Sequence, residues 1–214
     1  LSRFDAAGLR QPEAVLCGST NFTPNGIYRQ ANVVHVLDDA RVGARYLQTF
    51  EQVWGTPADV GAARQWITEH NPMDPSQPLF AGFSPRSGQG DLHEFVDIIN
   101  AAKKDLLFVT AFTLPDAILN ALLGKPHDDI LRYGLQNSVS KITGFHADRS
   151  AEFTTVALLN TGLEGWLLES KEGQKGNLLV HTKAIVTDFT SDTPTIISGS
   201  HNLSAAASNS NDEN

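Results

Sequence analysis

The chain has 214 residues, with 16 Lys+Arg against 24 Asp+Glu, a formal net charge of −8, 41% hydrophobic and 19% charged residues. That composition excludes a disordered chain, and the length suits one large domain or two small ones. The charge excludes broad electrostatic binding to DNA but not a local phosphate pocket, and the single Cys17 excludes an intrachain disulfide and a multi-cysteine zinc site. No apolar run approaches the roughly 20 residues of a membrane span. The sequence opens at Leu1, without the charged-then-apolar pattern of a signal peptide, and stops at Asn211-Asp-Glu-Asn214. It reads as a fragment of a longer protein, with a cytoplasmic location favoured and any targeting signal left to the segments outside it.

Along the chain, Glu13–Cys17 is an apolar run that enters a Gly18-Ser19 turn and predicts a buried strand. Ala31–Leu37 predicts a second strand. Val42, Tyr46, Leu47, Phe50, Val53 and Trp54 recur at helical spacing, with Asp38 or Asp39 as N-cap and Gly55 with Pro57 as the stop. Val60–His70 predicts a further helix. Three prolines between Asn71 and Pro78 predict a linker that divides the chain into residues 1–70 and 79–214. Beyond it, Leu92–Lys103 predicts a helix and Leu106–Phe112 a buried strand. Thr113 predicts the cap of a helix with Pro115 in its first turn and Gly124 at its end. Asp128–Leu135 predicts another helix. Val139–Phe145, Thr154–Leu159, Gly165–Leu168, Leu178–Asp188 and Thr195–Ser198 predict strands. Strands alternating with helices imply an α/β layered fold. Trp54, Trp66 and Trp166 are expected in the core, as is His35. His70, His93, His127 and His146 have no partners at metal-ligand spacing and are expected on the surface, so no metal and no other cofactor is implied.

Two stretches repeat. Val15-Leu-Cys-Gly18-Ser19-Thr-Asn21-Phe-Thr23 matches Ile196-Ile-Ser-Gly199-Ser200-His-Asn202-Leu-Ser204, 181 residues later. Each is an apolar strand followed by Gly-Ser-x-Asn-x-(Ser/Thr). The second copy is preceded by His181-Thr-Lys183 and, after four residues, by Asp188. On a strand His181 and Lys183 would project from one face, with Asp188 of opposite parity. His201 would point away from the motif if the local chain is extended.

His-x-Lys-x4-Asp followed by Gly-Ser-x-Asn resembles the signature of the phospholipase D superfamily, carried here by His181, Lys183, Asp188, Gly199, Ser200 and Asn202. Glu213-Asn214 resembles the family's Glu-Asn ending. The resemblance implies two similar halves, each a mixed β-sheet flanked by helices, with an active site between them and the signature once in each half. The first half is incomplete: its Gly-Ser-x-Asn is Gly18–Asn21, yet the first lysine is Lys103, so its His-x-Lys is expected upstream of Leu1. Gln30-Ala31-Asn32 replaces the Glu-Asn ending there, with Ala31 standing where Glu213 stands.

Phosphodiester cleavage needs a nucleophile, an acid for the leaving oxygen and positive charge around the phosphoryl oxygens. Two histidines supply the first two without metal. By resemblance, the upstream histidine forms a phosphohistidine, while His181 protonates the leaving group and then activates water. Lys183 and Asn202 would hold nonbridging oxygens, with Ser200, Ser19 and Asn21 as further phosphate contacts. Glu213 would fix a histidine tautomer, and Asp188 would hold the strand end. The fragment alone is then expected to be inactive. A phospholipid is the favoured substrate, with peripheral membrane contact. The alternatives are a nuclease of the same superfamily, with nucleic acid as partner, or a non-catalytic phosphate-binding module if no upstream His-x-Lys exists.

Overall fold

The computed structural model describes residues 1–55, 59–112, 114–124, 128–137, 141–146, 151–155 and 179–214. The class is mixed α/β, and the chain divides into two compact units. The first takes in Leu1–Gly18, Val34–Glu94 and Leu203–Asn214. The second takes in Ser19–Val33 and Phe95–Asn202. The segment 71–78, expected as a linker, lies inside the first unit.

In the first unit, β1 (Ser2–Phe4) and β2 (Arg10–Pro12) form an antiparallel hairpin. β3 (Val15–Gly18) pairs antiparallel with β5 (Val34–Leu37), with Val15 opposite Leu37. A two-stranded sheet has one face left for solvent, so of the expected buried strand only Val15 is buried, and Leu16 and Val36 are exposed. His35, expected in the core, is half-buried for the same reason. The helix at Val42–Trp54 is α2 (Ala40–Gly55), capped by Asp39 Oδ1, which accepts from the Arg41 and Val42 amides. α3 (Val60–His70) starts at Asp59, whose Oδ1 accepts from the Ala62 amide at 2.9 Å. The core of this unit gathers Val15, Val42, Ala63, Ile67, Phe83, Leu92, Leu203 and Ala207, with Tyr46 edge-on to Phe83 at 4.8 Å. Trp54 departs from expectation. The apolar stripe of α2 is wider than the surface that covers it, so Trp54 is exposed and stacks on the exposed Phe50 instead. Trp166 lies outside the described residues.

The second unit is built on a six-stranded mixed sheet in the order β12-β11-β6-β7-β8-β9. Its strands are β6 (Asp105–Thr110), β7 (Leu131–Asn137), β8 (Lys141–His146), β9 (Ala151–Thr155), β11 (Ala184–Thr187) and β12 (Thr195–Ser198). Only β6 and β7 are parallel, and α5 (Asp116–Leu123) provides the crossover between them. α5 ends at Gly124, whose φ of +62° favours glycine. Thr113, its expected cap, lies outside the described residues, as do His127, Val139, Ser140, Val156–Leu159 and Gly165–Leu168. α4 (Gly90–Asn100) runs from the first unit into the second.

The expected helix at Asp128–Leu135 is instead strand β7. Its burial alternates, with Arg132 and Gly134 buried between exposed Leu131, Tyr133 and Leu135, and the parallel ladder to β6 outweighs helical propensity. Gly134 lies opposite Phe108 in that ladder. A Cβ there would collide with the Phe108 ring, which occupies the space a side chain would take. Leu106, Phe108, Ile118, Leu122 and Ile185 fill the core around it.

Two expected strands break where the chain changes sheets. Ala31–Leu37 becomes β4 (Gln30–Ala31) and β5, separated by Asn32-Val33. Of the expected strand Leu178–Asp188, Leu178 lies outside the described residues, and the rest holds β10 (Leu179–Val180) and β11, separated by His181-Thr182-Lys183. β10 pairs with β4, whereas β11 pairs with β6 and β12. Asn32, His181 and Lys183 lie at these crossings, with the His181 amide still donating to Ala31 O at 2.9 Å.

Candidate functional site

Both copies of the repeat fold alike locally. Thr23 is the N-cap of α1 (Pro24–Tyr28) at φ −127°, ψ 158°, and its Oγ1 accepts from the Gly26 amide at 3.0 Å. Ser204 is the N-cap of α6 (Ala205–Ser210) at φ −127°, ψ 159°, and its Oγ accepts from the Ala207 amide at 3.2 Å. The hydroxyl that closes each motif is thus there to start a helix. Counted without a gap, the offset of 181 residues puts Asn32, not Ala31, opposite Glu213.

Asn32 is the site residue the sequence reading missed. Its Nδ2 donates to Gly26 O at 2.9 Å and to Gln30 O at 3.5 Å, which fixes the orientation of its amide. Its Oδ1 accepts from Ser19 Oγ at 2.9 Å and from His181 Nδ1 at 3.0 Å. Ser19 O lies 2.9 Å from the same Nδ1. Two oxygen acceptors at Nδ1 put the ring proton there and leave the lone pair on Nε2. Lys183 Nζ, which can only donate, lies 3.0 Å from both ring nitrogens. His181 and Lys183 are buried, and Phe112 adjoins both. Its ring stands edge-on to His181 at 5.9 Å, and Lys183 Nζ is 5.9 Å from its centroid. The result is an imidazole held at Nδ1 by two neutral oxygens, with the Lys183 side-chain nitrogen against the ring.

The structure brings together His181, Lys183 and Ser19, with Asn32 and Phe112 added. Ser19 acts there through its carbonyl. Its hydroxyl is engaged with Asn32 and with the Val33 amide at 3.0 Å. Asn21 is exposed, and its carbonyl accepts from the Thr23 amide at 2.8 Å. The antiparallel register pairs Ala184 with Ser198, so Gly199-Ser200 leaves β12 at the end of the sheet where Lys183 enters β11. Asn202 follows. Its Oδ1 is buried with no hydrogen-bond partner among the described residues, a cost that a bound donor would remove. His201 is buried, edge-on to Phe95 at 5.5 Å. Glu213 belongs to the first unit, where its backbone bridges to Ser84 and its Oε1 accepts from Asn211 at 3.2 Å.

Asp188 holds the sheet rather than the imidazole. At φ +53° it turns the chain out of β11, and its Oδ1 accepts from the Lys103 and Lys104 amides at 2.8 and 2.7 Å. Those bonds, the Lys103 amide first, hold its carboxyl below the ordinary value of 3.8. The stabilisation is therefore present above 3.8 and is lost as pH falls through the lower folded value. Asp188→Ala is expected to lower Tm at pH 7 by about 2–4 °C, as a loss of about 1 kcal/mol would in a chain of this size. Melts repeated at falling pH should show the two proteins converging below 3.8.

The amide at Asn32 makes a second prediction. In Asn32→Asp a carboxylate faces Nδ1 and favours the imidazolium. Whichever limb of the pH–rate profile reports His181 should move to higher pH, by roughly one unit or more. Lys183 Nζ, 3.0 Å from both ring nitrogens, acts in the opposite direction. An unmoved profile would mean that Asn32 does not govern His181.

Among the described residues no group of three or more His, Cys, Asp or Glu side chains is gathered as metal ligands, and no helix is long and apolar enough to cross a membrane. No protein-family profile and no curated protein matches the chain.

Proposed function

We propose that this chain belongs to a phospholipase D-like phosphodiesterase of two similar halves, working through a phosphohistidine, with phospholipid as its substrate. The single observation that carries the reading is the imidazole of His181, fixed in one tautomer by Ser19 O and Asn32 Oδ1 with Lys183 Nζ at 3.0 Å. The matched local structure of the two Gly-Ser-x-Asn copies supports it.

In this reading the substrate phosphoryl group lies against Lys183, whose ammonium balances charge on a nonbridging oxygen, with Asn202 and Ser200 as further contacts. A second His-x-Lys supplies the nucleophile; the 214 residues contain one such motif, at His181. Attack forms a phosphorus–nitrogen bond and expels the alcohol, which takes the Nε2 proton of His181 in its imidazolium form, leaving the ring neutral with its Nδ1 proton in place. The neutral His181 then removes a proton from water, whose oxygen displaces the histidine. A second reading exchanges the two histidines. It is favoured by the ground-state tautomer of His181, whose Nε2 lone pair is the form a nucleophile needs.

The test is turnover of bis(4-nitrophenyl) phosphate by the full-length protein in excess chelator, with quenching to trap an acid-labile phosphorylated histidine. Metal-independent turnover and a trapped phosphohistidine are expected. Activity lost to chelator and restored by a divalent cation would overturn the mechanism.

A further inference from the structure

The segment that holds His181 also carries an apolar surface. Ser19 and Asn32, which hold Nδ1, bracket a loop and the short helix α1. Between them Phe22, Ile27 and Tyr28 are 82%, 55% and 62% exposed. Phe22 precedes the Thr23 cap and Ile27 is the fourth residue of α1, the two positions of a hydrophobic staple, which lie on one side of the first turn. The repeat provides an internal control. The corresponding positions of the second copy are Leu203, 3% exposed, and Ser208, fully buried. The same local motif therefore buries its staple in one copy and displays it, enlarged to Phe and Ile, in the other.

We propose that Phe22, Ile27 and Tyr28 form a lipid-interface contact that inserts shallowly into a phospholipid surface and delivers a head-group phosphodiester to His181. This rests on the phosphodiesterase reading above and deepens it. The chemistry of the segment selects the occupant. From Ser19 to Val33 there is no Asp or Glu, and the one charge is Arg29, in a chain of net charge −8. The segment thus brings no negative charge of its own to anionic lipid, and Arg29 adds one favourable contact to phosphate. Phe and Tyr suit the boundary between head groups and acyl chains, where an apolar ring and a polar edge are both satisfied. A nucleic-acid strand is disfavoured, because a single cation cannot supply the basic groove that tracks its backbone. Because both ends of the segment are hydrogen-bonded to His181, insertion of its middle sets the phosphate level with the imidazole.

The experiment is co-sedimentation of the full-length protein with unilamellar vesicles of phosphatidylcholine and phosphatidylglycerol, beside the double variant Phe22→Ser, Ile27→Ser. Wild type should partition to vesicles, and the variant should partition about tenfold less or worse. Turnover of soluble bis(4-nitrophenyl) phosphate should stay within about twofold, since both side chains are mostly exposed and neither supplies the hydrogen bonds at Nδ1 of His181, and this shows that the variant is folded. The gain-of-signal variant Phe22→Trp should show a blue-shifted difference emission with vesicles and none with oligothymidylate. Wild type that ignores vesicles, or a double variant that binds them undiminished, overturns the proposal. So does oligothymidylate binding that the double substitution abolishes, which assigns the patch to nucleic acid. A concentration-dependent dimer that the double substitution dissociates overturns it too, and assigns the patch to a second copy. The two readings fail separately: vesicle binding that persists while bis(4-nitrophenyl) phosphate is untouched sinks the phosphodiesterase and leaves the lipid contact standing.

Discussion

Replacing His181 with Ala in the full-length protein is expected to lower steady-state hydrolysis of an alkyl phosphodiester by about 10²- to 10⁴-fold, the usual contribution of a positioned general acid–base. The more informative substrate has a nitrophenolate leaving group, which departs with little protonation. The other histidine should still attack it, and the phosphoenzyme should then accumulate because no base remains to activate water. The expected record is a burst of nitrophenolate near one equivalent, an acid-labile phosphohistidine and slow turnover afterwards. If His181 is the nucleophile, the variant gives neither burst nor covalent phosphate on any substrate, and the roles are reversed. His181 makes this a clean substitution because its ring is held by Ser19 O and Asn32 Oδ1, groups whose own positions depend on the Ser19 hydroxyl, the Val33 amide and Gly26 O rather than on the imidazole.

Lys183→Met should lower kcat by about 10²-fold or more with folding intact. The methionine keeps the apolar length that packs near Phe112, so what is lost is the charge placed 3.0 Å from the imidazole. Lys183→Arg should recover only part of the activity. The site is buried and shaped around a compact ammonium, and a planar guanidinium is larger and directs its donors differently. Near wild-type turnover in Lys183→Met, measured under saturating substrate, would remove Lys183 from the chemistry.

The helices α2 and α3 were legible because each carries its own local instructions. In α2 the apolar stripe at helical spacing and the aspartate at the N-cap are short-range features, and Asp39 takes the cap; in α3 the structure adds the same kind of cap at Asp59. The hydroxyls ending the two Gly-Ser-x-Asn copies were legible as a repeat, and their role as N-caps is equally local. β7 was misread as a helix because its strand character comes from a parallel ladder to β6, formed across the crossover α5, and no local pattern records that partner. Trp54 was misplaced because hydrophobicity says which side chains could be buried, while the area available to cover them is set by the elements that pack on α2.

For the site, sequence alone determined the chemical identities and spacing of His181, Lys183 and the two Gly-Ser-x-Asn turns, since a motif is a property of order along the chain. Tertiary structure decided which atoms meet. Asn32 and Ser19 lie about 150 residues or more before His181, and their bonds to its ring exist only because β10 pairs with β4 and carries the histidine there. His181 and Lys183 converge although the expected strand stops between them, because the chain leaves one sheet and enters another at that point. Hydrogen bonds between residues so distant in sequence depend on strand pairing, a cooperative outcome of the whole fold that no window of sequence contains.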